Sequence, residues 1–223
     1  MDNLLPIPNP ARMDEACKRF DEKYKVIENA LGELFSNYPL NTNPSHVLLK
    51  VVALNRLYSA GVLAVEVLAD HIYQNGKEID LALAAGELSA IDKISRITIQ
   101  GKAFNFFSSA TKYCNWHRPE IYPVYDSRVD QYLWSLQKHS RFSENFEHRA
   151  DIRKGYTKFL KIMNDLKSHY ELQSFTFKEI DKFLWSREET ESPTGKGLQH
   201  YLDMVPNVPP DPGDELPEGW TAQ

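Results

Sequence analysis

"SSATKYCNWHRPEIYPVYDSRVDQYLW" (Ser108–Trp134) decides how this chain is read. Lys112 lies about one turn before a break, because Pro119 disfavours helix in the residue that precedes it. Pro123 stiffens the return, and Asp126 arrives where a second helix starts. A short link between two helices brings the start of the second close to the end of the first. Lys112 and Asp126 are therefore expected to share one opening. A lysine amine can attack an electrophilic carbon and form a Schiff base when its surroundings favour the uncharged form. A carboxylate at a helix N-terminus stays ionised, since the dipole and the free N–H groups favour the anion. The plain alternative is a solvated lysine and an aspartate that only caps a helix.

Outward from this stretch, helical periodicity dominates and strand alternation is scarce. Helices are expected near residues 11–37, 45–74, 79–91, 101–116, 127–139, 149–169 and 176–187, punctuated by Pro39, Pro44, Asn75-Gly76, Pro119 and Pro123. Thr176 with Glu179 makes a T-x-x-E capping box, and Ser127 with Asp130 an S-x-x-D version. The segments around Ile97–Ile99 and Ser174–Phe177 can be extended without forcing a sheet. From Glu188 the text turns to prolines, glycines and acids, so residues 1–190 are read as a helical domain and 191–223 as a loosely ordered tail.

Two helices carry informative faces. Asn55, Ser59, Glu66 and Asp70 form one polar stripe that either lines a cleft or faces water. Along 101–116, Asn105, Ser108, Ser109 and Lys112 share a face, while Ala103, Phe106, Phe107, Ala110 and Cys114 point the other way, toward the core. Short polar neighbours would leave room to approach the Lys112 amine.

The bulk numbers narrow the class. With 42% hydrophobic and 26% charged residues the composition is that of an ordinary globular chain, and a formal charge of -5 excludes a protein basic all over. Charge is uneven, however. From Asp92 to Arg128, Lys93, Arg96, Lys102, Lys112, Arg118 and Arg128 outnumber Asp92, Glu120 and Asp126, a local balance suited to phosphate contact. Tyr113, Trp116, Tyr122 and Tyr125 are interleaved and can either stack on a base or fill core. Cys17 and Cys114 lie far apart without a metal-ligand spacing, so no metal or iron–sulfur site is expected. His71 and His117 read as structural, hydrogen-bonded histidines. The apolar run 47–72 is broken by Lys50, Asn55, Arg56, Glu66 and Asp70, which argues against a membrane span, and the acidic, proline-broken start does not read as a signal peptide. A cytoplasmic monomer is the expectation.

"ATKYCNWHRPEIYPVYDSRVDQYLW" resembles the segment of helix-hairpin-helix DNA glycosylases that runs from the catalytic lysine to the catalytic aspartate, with 8-oxoguanine DNA glycosylases the closest likeness. Thr111-Lys112 matches the T-K element, and Pro123-Val124-Tyr125-Asp126 with Trp134 matches the P-V-D-x-x-x-W element with one residue inserted. Upstream, "VVALNRLYSAGVLAVEVLADHI" is similar to the early helix whose Asn-rich turn enters DNA, with Asn55 and Arg56 as the matching pair. The glycine-rich hairpin that normally precedes the lysine is replaced by "FNFFSSATK", and the lysine–aspartate interval is shorter.

The resemblance implies an all-α, two-lobed domain that flips a modified or damaged base out of duplex DNA. In it Lys112 attacks the sugar C1′, Asp126 stabilises the oxocarbenium-like charge, and β-elimination can follow. The matching pair Asn55 and Arg56, with Lys102, Arg118 and Arg128 of the basic segment, are the candidate DNA contacts, Ser108, Ser109 and Trp116 on the lysine side are the candidate base pocket, and the resemblance implies no cofactor or metal. Repair and defence against modified phage DNA are both compatible. The alternative is a non-catalytic helical module of the same fold that binds DNA or protein.

Overall fold

The first two helices start at asparagine caps. In the computed structural model, which describes residues 5–58, 60, 62 and 64–186, α1 spans Pro10–Asn37. Its cap is Asn9, whose side chain accepts from the Arg12 N–H at 3.0 Å, and proline stands at the first helical position. The same device opens α2 (Pro44–Leu57), where Asn43 accepts from Ser45 and His46. α3 (Val65–Gln74), α4 (Gly76–Ala85) and α5 (Ser89–Ser95) follow. A two-stranded antiparallel hairpin, β1 (Arg96–Ile99) and β2 (Lys102–Asn105), leads into α6 (Phe107–His117). Then come α7 (Ser127–Ser140), a short 3-10 helix (Arg149–Arg153), α8 (Tyr156–His169) and α9 (Phe177–Ser186). The chain is predominantly helical, and among the described residues no helix is long and apolar enough to cross a membrane.

Four expected elements are revised, each for a local reason. The helix expected at 45–74 is two, because Asn55 accepts from the Val62 N–H (2.8 Å) and donates to the Val62 carbonyl (3.0 Å), which stabilises a turn of chain between α2 and α3. The helix expected at 79–91 starts at Gly76 and ends where Gly86 takes φ +69°, with Gly86 N and Glu87 N closing on the Leu83 and Ala82 carbonyls. The helix expected at 101–116 begins only at Phe107. Its first residues form β2, and Gln100 and Gly101 both have positive φ, as a two-residue hairpin turn of primed type requires. Gly155, at φ +142°, divides 149–169 into the 3-10 turn and α8. Of the two capping boxes, Thr176–Glu179 forms, with Glu179 N donating to Thr176 Oγ1 at 3.2 Å. Ser127–Asp130 does not, because Asp126 is the cap and Asp130 is taken by Arg149 and Arg153.

α6 is the element around which the core is arranged. Ala110, Tyr113 and Cys114 are buried in it, packed with residues such as Phe35 of α1, Val51 of α2 and Ile91 of α5. α9 returns to lie along α1, tied by Cys17 to the Glu179 carbonyl, Asp21 to Lys182 and Glu28 to Lys178. The last described helix thus closes on the first. All these elements belong to one compact unit. The expected tail and the Ser59 member of the polar stripe lie outside the described residues.

Candidate functional site

Two helical stripes build the site. On α6, Ser109, Lys112 and Trp116 follow one another at three- and four-residue steps and share a face. That face holds the segment that leaves α2: Ser109 Oγ donates to the Ala60 carbonyl (3.1 Å) and Lys112 Nζ to the Tyr58 carbonyl (3.0 Å). The Trp116 ring meets the Tyr58 ring edge-on, with centroids 5.6 Å apart. On α9 the same spacing recurs in Lys178, Asp181 and Trp185. Lys178 Nζ donates to the Tyr58 hydroxyl and stands 3.9 Å from the centre of the Trp116 ring, and Trp185 packs on Tyr58 at 5.7 Å. Asp181 lies between two residues that both touch Tyr58.

Asp126 enters from a third direction. As the cap of α7 its Oδ1 accepts from the Arg128 and Val129 N–H groups at 3.0 Å each, and its Oδ2 stands 3.4 Å from Lys112 Nζ. Division of labour between the two oxygens follows: one is fixed by backbone donors and the other faces the ammonium. The pair is secluded, with the Lys112 side chain 2% exposed and that of Asp126 11%. Thr111 fixes the register of the two helices, since its Oγ1 accepts from Tyr125 N (3.0 Å), the residue before the aspartate.

The electrostatics are those of a buried cluster. Lys178 and Glu28 form an ion pair at 3.2 Å, each side chain 15% exposed, bridged by Tyr58 Oη donating to Glu28 at 2.6 Å. Burial pushes the Tyr58 phenol well up and lowers the Lys178 ammonium. Two cations, Lys112 and Lys178, thus meet two carboxylates, Asp126 and Glu28. Asp181 is the extra acid: 3% exposed, with Oδ1 buried and without a hydrogen-bond partner among the described residues. Its burial raises its pKa to about 7, with the charges of Lys178 and Lys112 opposing the rise and those of Asp126 and Glu28 adding to it. Trp116 Nε1 is likewise buried and unpartnered.

Of the residues singled out in the sequence, Lys112 and Asp126 come together, with Ser109 and Trp116 on the Lys112 stripe. The lysine does not rise from an open polar patch, as the spacing suggested. Its amine is held by the Tyr58 carbonyl, and the α9 stripe packs on Tyr58 in turn, too far along the chain to enter a local reading. Phe106 and Phe107 are only half-buried and Ala103 is exposed, so the apolar face predicted from 103 onward is corrected: 103 is in a strand, out of helical phase with α6. Ser108 is half-buried and contributes its carbonyl to Thr111 Oγ1. Asn55 uses both ends of its amide on Val62, and Arg118 ties down the end of α4 through the Leu83 and Ala84 carbonyls (3.1 Å each) while pairing with Glu120. Arg56 and Lys102 are exposed. Arg128 lies on the Trp185 ring at 4.9 Å, at the edge of the site. His71 and His117 each hydrogen-bond, to the Lys93 carbonyl and alongside Lys50. No group of three or more His, Cys, Asp or Glu arranged to hold a metal occurs among the described residues. Sequence reasoning missed Glu28, Tyr58, Lys178, Asp181 and Trp185. The one available signal was the spacing of the last three within an otherwise amphipathic helix.

Residues 12–121 match a family model described as HI_0787_N, N-terminal domain. An uncharacterized protein of Haemophilus influenzae is 37% identical over 131 residues, which is 59% of this chain and 60% of that relative. The chain therefore spans about three fifths of the relative's length. The family match takes in Glu28, Tyr58 and Lys112 and stops before Asp126 and α9. No solved structure matches.

Proposed function

We propose that the chain is a DNA glycosylase of the helix-hairpin-helix type that excises a modified or damaged base through Lys112. The observation that carries this reading is the secluded pair of Lys112 Nζ and Asp126 Oδ2 at 3.4 Å, with the carboxylate fixed by two α7 N–H groups. In the proposed reaction the unprotonated Lys112 amine bonds to C1′ as the glycosidic bond breaks. Positive charge grows on the sugar in the transition state, and a carboxylate fixed in place beside it stabilises that charge without having to reorganise. Ring opening gives the Schiff base from which strand cleavage by β-elimination can proceed. The target is duplex DNA carrying the modified base, in repair or in defence against modified phage DNA. Because Lys112 is 2% exposed, an extruded nucleotide reaches it only after Tyr58 and the α9 stripe give way.

That same seclusion favours a second reading, a helical DNA- or protein-binding module in which the pair merely ties α6 to α7. Borohydride trapping separates them. Duplexes carrying 8-oxoguanine, other modified bases or an abasic site are incubated with wild type and with Lys112→Ala, and folding of both is checked by circular dichroism. The glycosylase reading expects a covalent adduct with wild type and complete loss of it in the folded variant. Absence of both adduct and free-base release with wild type on every duplex would sink it.

A further inference from the structure

We propose that Asp181 is the group that takes the proton from Lys112 so that its amine can attack, a step that rests on the glycosylase reading above. The ion pair by itself leaves a chemical gap. Lys112 is ion-paired with Asp126 at 3.4 Å, and an ammonium has no lone pair with which to attack carbon. Asp126 is badly suited to take that proton. Two backbone N–H groups at the start of α7 already occupy its Oδ1, and its part in the reaction requires it to remain charged.

Asp181 has the opposite surroundings. It is on the α9 face that packs on Tyr58, between Lys178 and Trp185, both of which touch the Tyr58 whose carbonyl holds Lys112. The groups that face it are Lys178 on its own helix, Glu28 on α1, Tyr58 at the end of α2, Lys112 on α6 and Asp126 at the start of α7. Lys178 is already engaged by Glu28 and the Tyr58 hydroxyl, and Asp181 forms no ion pair among the described residues. A buried carboxylate oxygen without a donor has capacity for a proton. Its pKa of about 7 leaves it divided between base and acid at neutral pH, where a proton acceptor works best.

The step balances as a transfer. One proton leaves Lys112 Nζ and arrives on a carboxylate oxygen of Asp181. The freed nitrogen lone pair forms the N–C1′ bond while the C1′–base bond breaks. The base departs with the glycosidic electron pair and takes up one proton, which Asp181 returns. No oxidant, metal or cofactor enters.

Single-turnover trapping on an 8-oxoguanine or abasic duplex, followed across about pH 5 to 9, tests this. Wild type should show a rate that rises with ionisation of a group titrating near neutrality. Asp181→Asn keeps the shape of the side chain. It should slow trapping on the order of a hundredfold, flatten that rise and still reach the same final yield of adduct. Formate added to Asp181→Ala should restore part of the rate, which a purely structural role would not produce. Carboxyl 13C NMR of the unsubstituted protein reads the same group without a variant, and should show Asp181 titrating near neutrality. Unchanged rate and pH profile in Asp181→Asn, or an Asp181 midpoint below about 5, overturns the proposal and leaves the glycosylase reading intact. No adduct with wild type overturns both.

Discussion

Two lysines are buried among the described residues, and their surroundings differ in kind. Lys50 is fully buried and donates to three neutral oxygens: the Tyr38 carbonyl (3.1 Å), the Leu40 carbonyl (3.3 Å) and Asn41 Oδ1 (2.7 Å). His117 Nε2 is 3.4 Å away, and the Phe35 and Tyr113 rings lie on its flanks. Lys112 has two partners, one carbonyl and one carboxylate. An ammonium has three N–H groups, so Lys50 is saturated and Lys112 keeps one N–H without an acceptor among the described residues. Lys50 also stands at the C-terminal end of α1, where the helix dipole and the unpaired carbonyls favour a cation. Its nearest carboxylate, Asp80, reaches it only through Asn41, which donates to Asp80 with both its backbone N–H and its side-chain amide. A buried lysine with every donor filled by fixed carbonyls is a structural plug. One with a donor to spare beside a carboxylate is what the proposed chemistry needs.

Substitution should break this symmetry most sharply. Lys50→Met leaves the Tyr38 and Leu40 carbonyls and Asn41 Oδ1 facing an apolar chain. Loss of the buried donor should cost about 4 kcal/mol in urea unfolding. The folded fraction should still form the borohydride adduct at the wild-type rate, whereas Lys112→Ala should lose the adduct altogether. A Lys50→Met protein of wild-type stability would show that its cage is not structural after all.

The contrast also explains how much could be read beforehand. Lys112 and Asp126 were legible because proline turns and a cap place them within one helix–turn–helix, where sequence distance and spatial distance nearly coincide. Lys50 read only as a polar interruption in an apolar run. Its cage comes from the end of α1 and from His117, sixty-seven positions away. Asp181 was invisible for the same reason, since its stripe belongs to a helix that folds back on α1. Helical class and most helix positions followed from periodicity. The hairpin did not, because all four β2 positions are exposed and so show no alternation. Its turn also carries Gln100 in place of the Asn or Asp that ordinarily signals such a turn.

Titration sharpens the comparison at a smaller scale. Burial lowers the Lys50 pKa from 10.5 to about 8 in the folded protein. Between those values the unfolded chain binds more protons than the folded one, so stability rises with pH across the window and the full cost is present below about pH 8. The contribution is up to roughly 3 kcal/mol. Above about pH 10 the buried tyrosines act in the other direction, because Tyr58, Tyr113 and Tyr156 have raised pKa values and oppose ionisation in the fold. The Lys50 share is therefore read as the difference between wild type and Lys50→Met in thermal melts from about pH 7.5 to 10. A difference that stays flat across that window would mean that Lys50 titrates as an exposed lysine does.

The smallest effect belongs to Asn55, which joins the two halves of the comparison because α2 carries Lys50 and then runs into the segment over Lys112. Its amide satisfies both backbone groups of Val62, and that clasp shapes the turn in which Tyr58 offers its carbonyl to Lys112. Asn55→Ala removes two hydrogen bonds at a half-buried site and should cost about 1 to 2 kcal/mol. Asn55→Asp keeps the acceptor for Val62 N but not the donor, and should fall between wild type and Asn55→Ala. The Lys50 titration window should not move in either variant, since its cage comes from α1, Asn41 and His117 and not from the turn after α2. If Asn55→Ala shifted that window, the two lysines would belong to one cooperative unit, and the division between plug and reactive group would lose its structural basis.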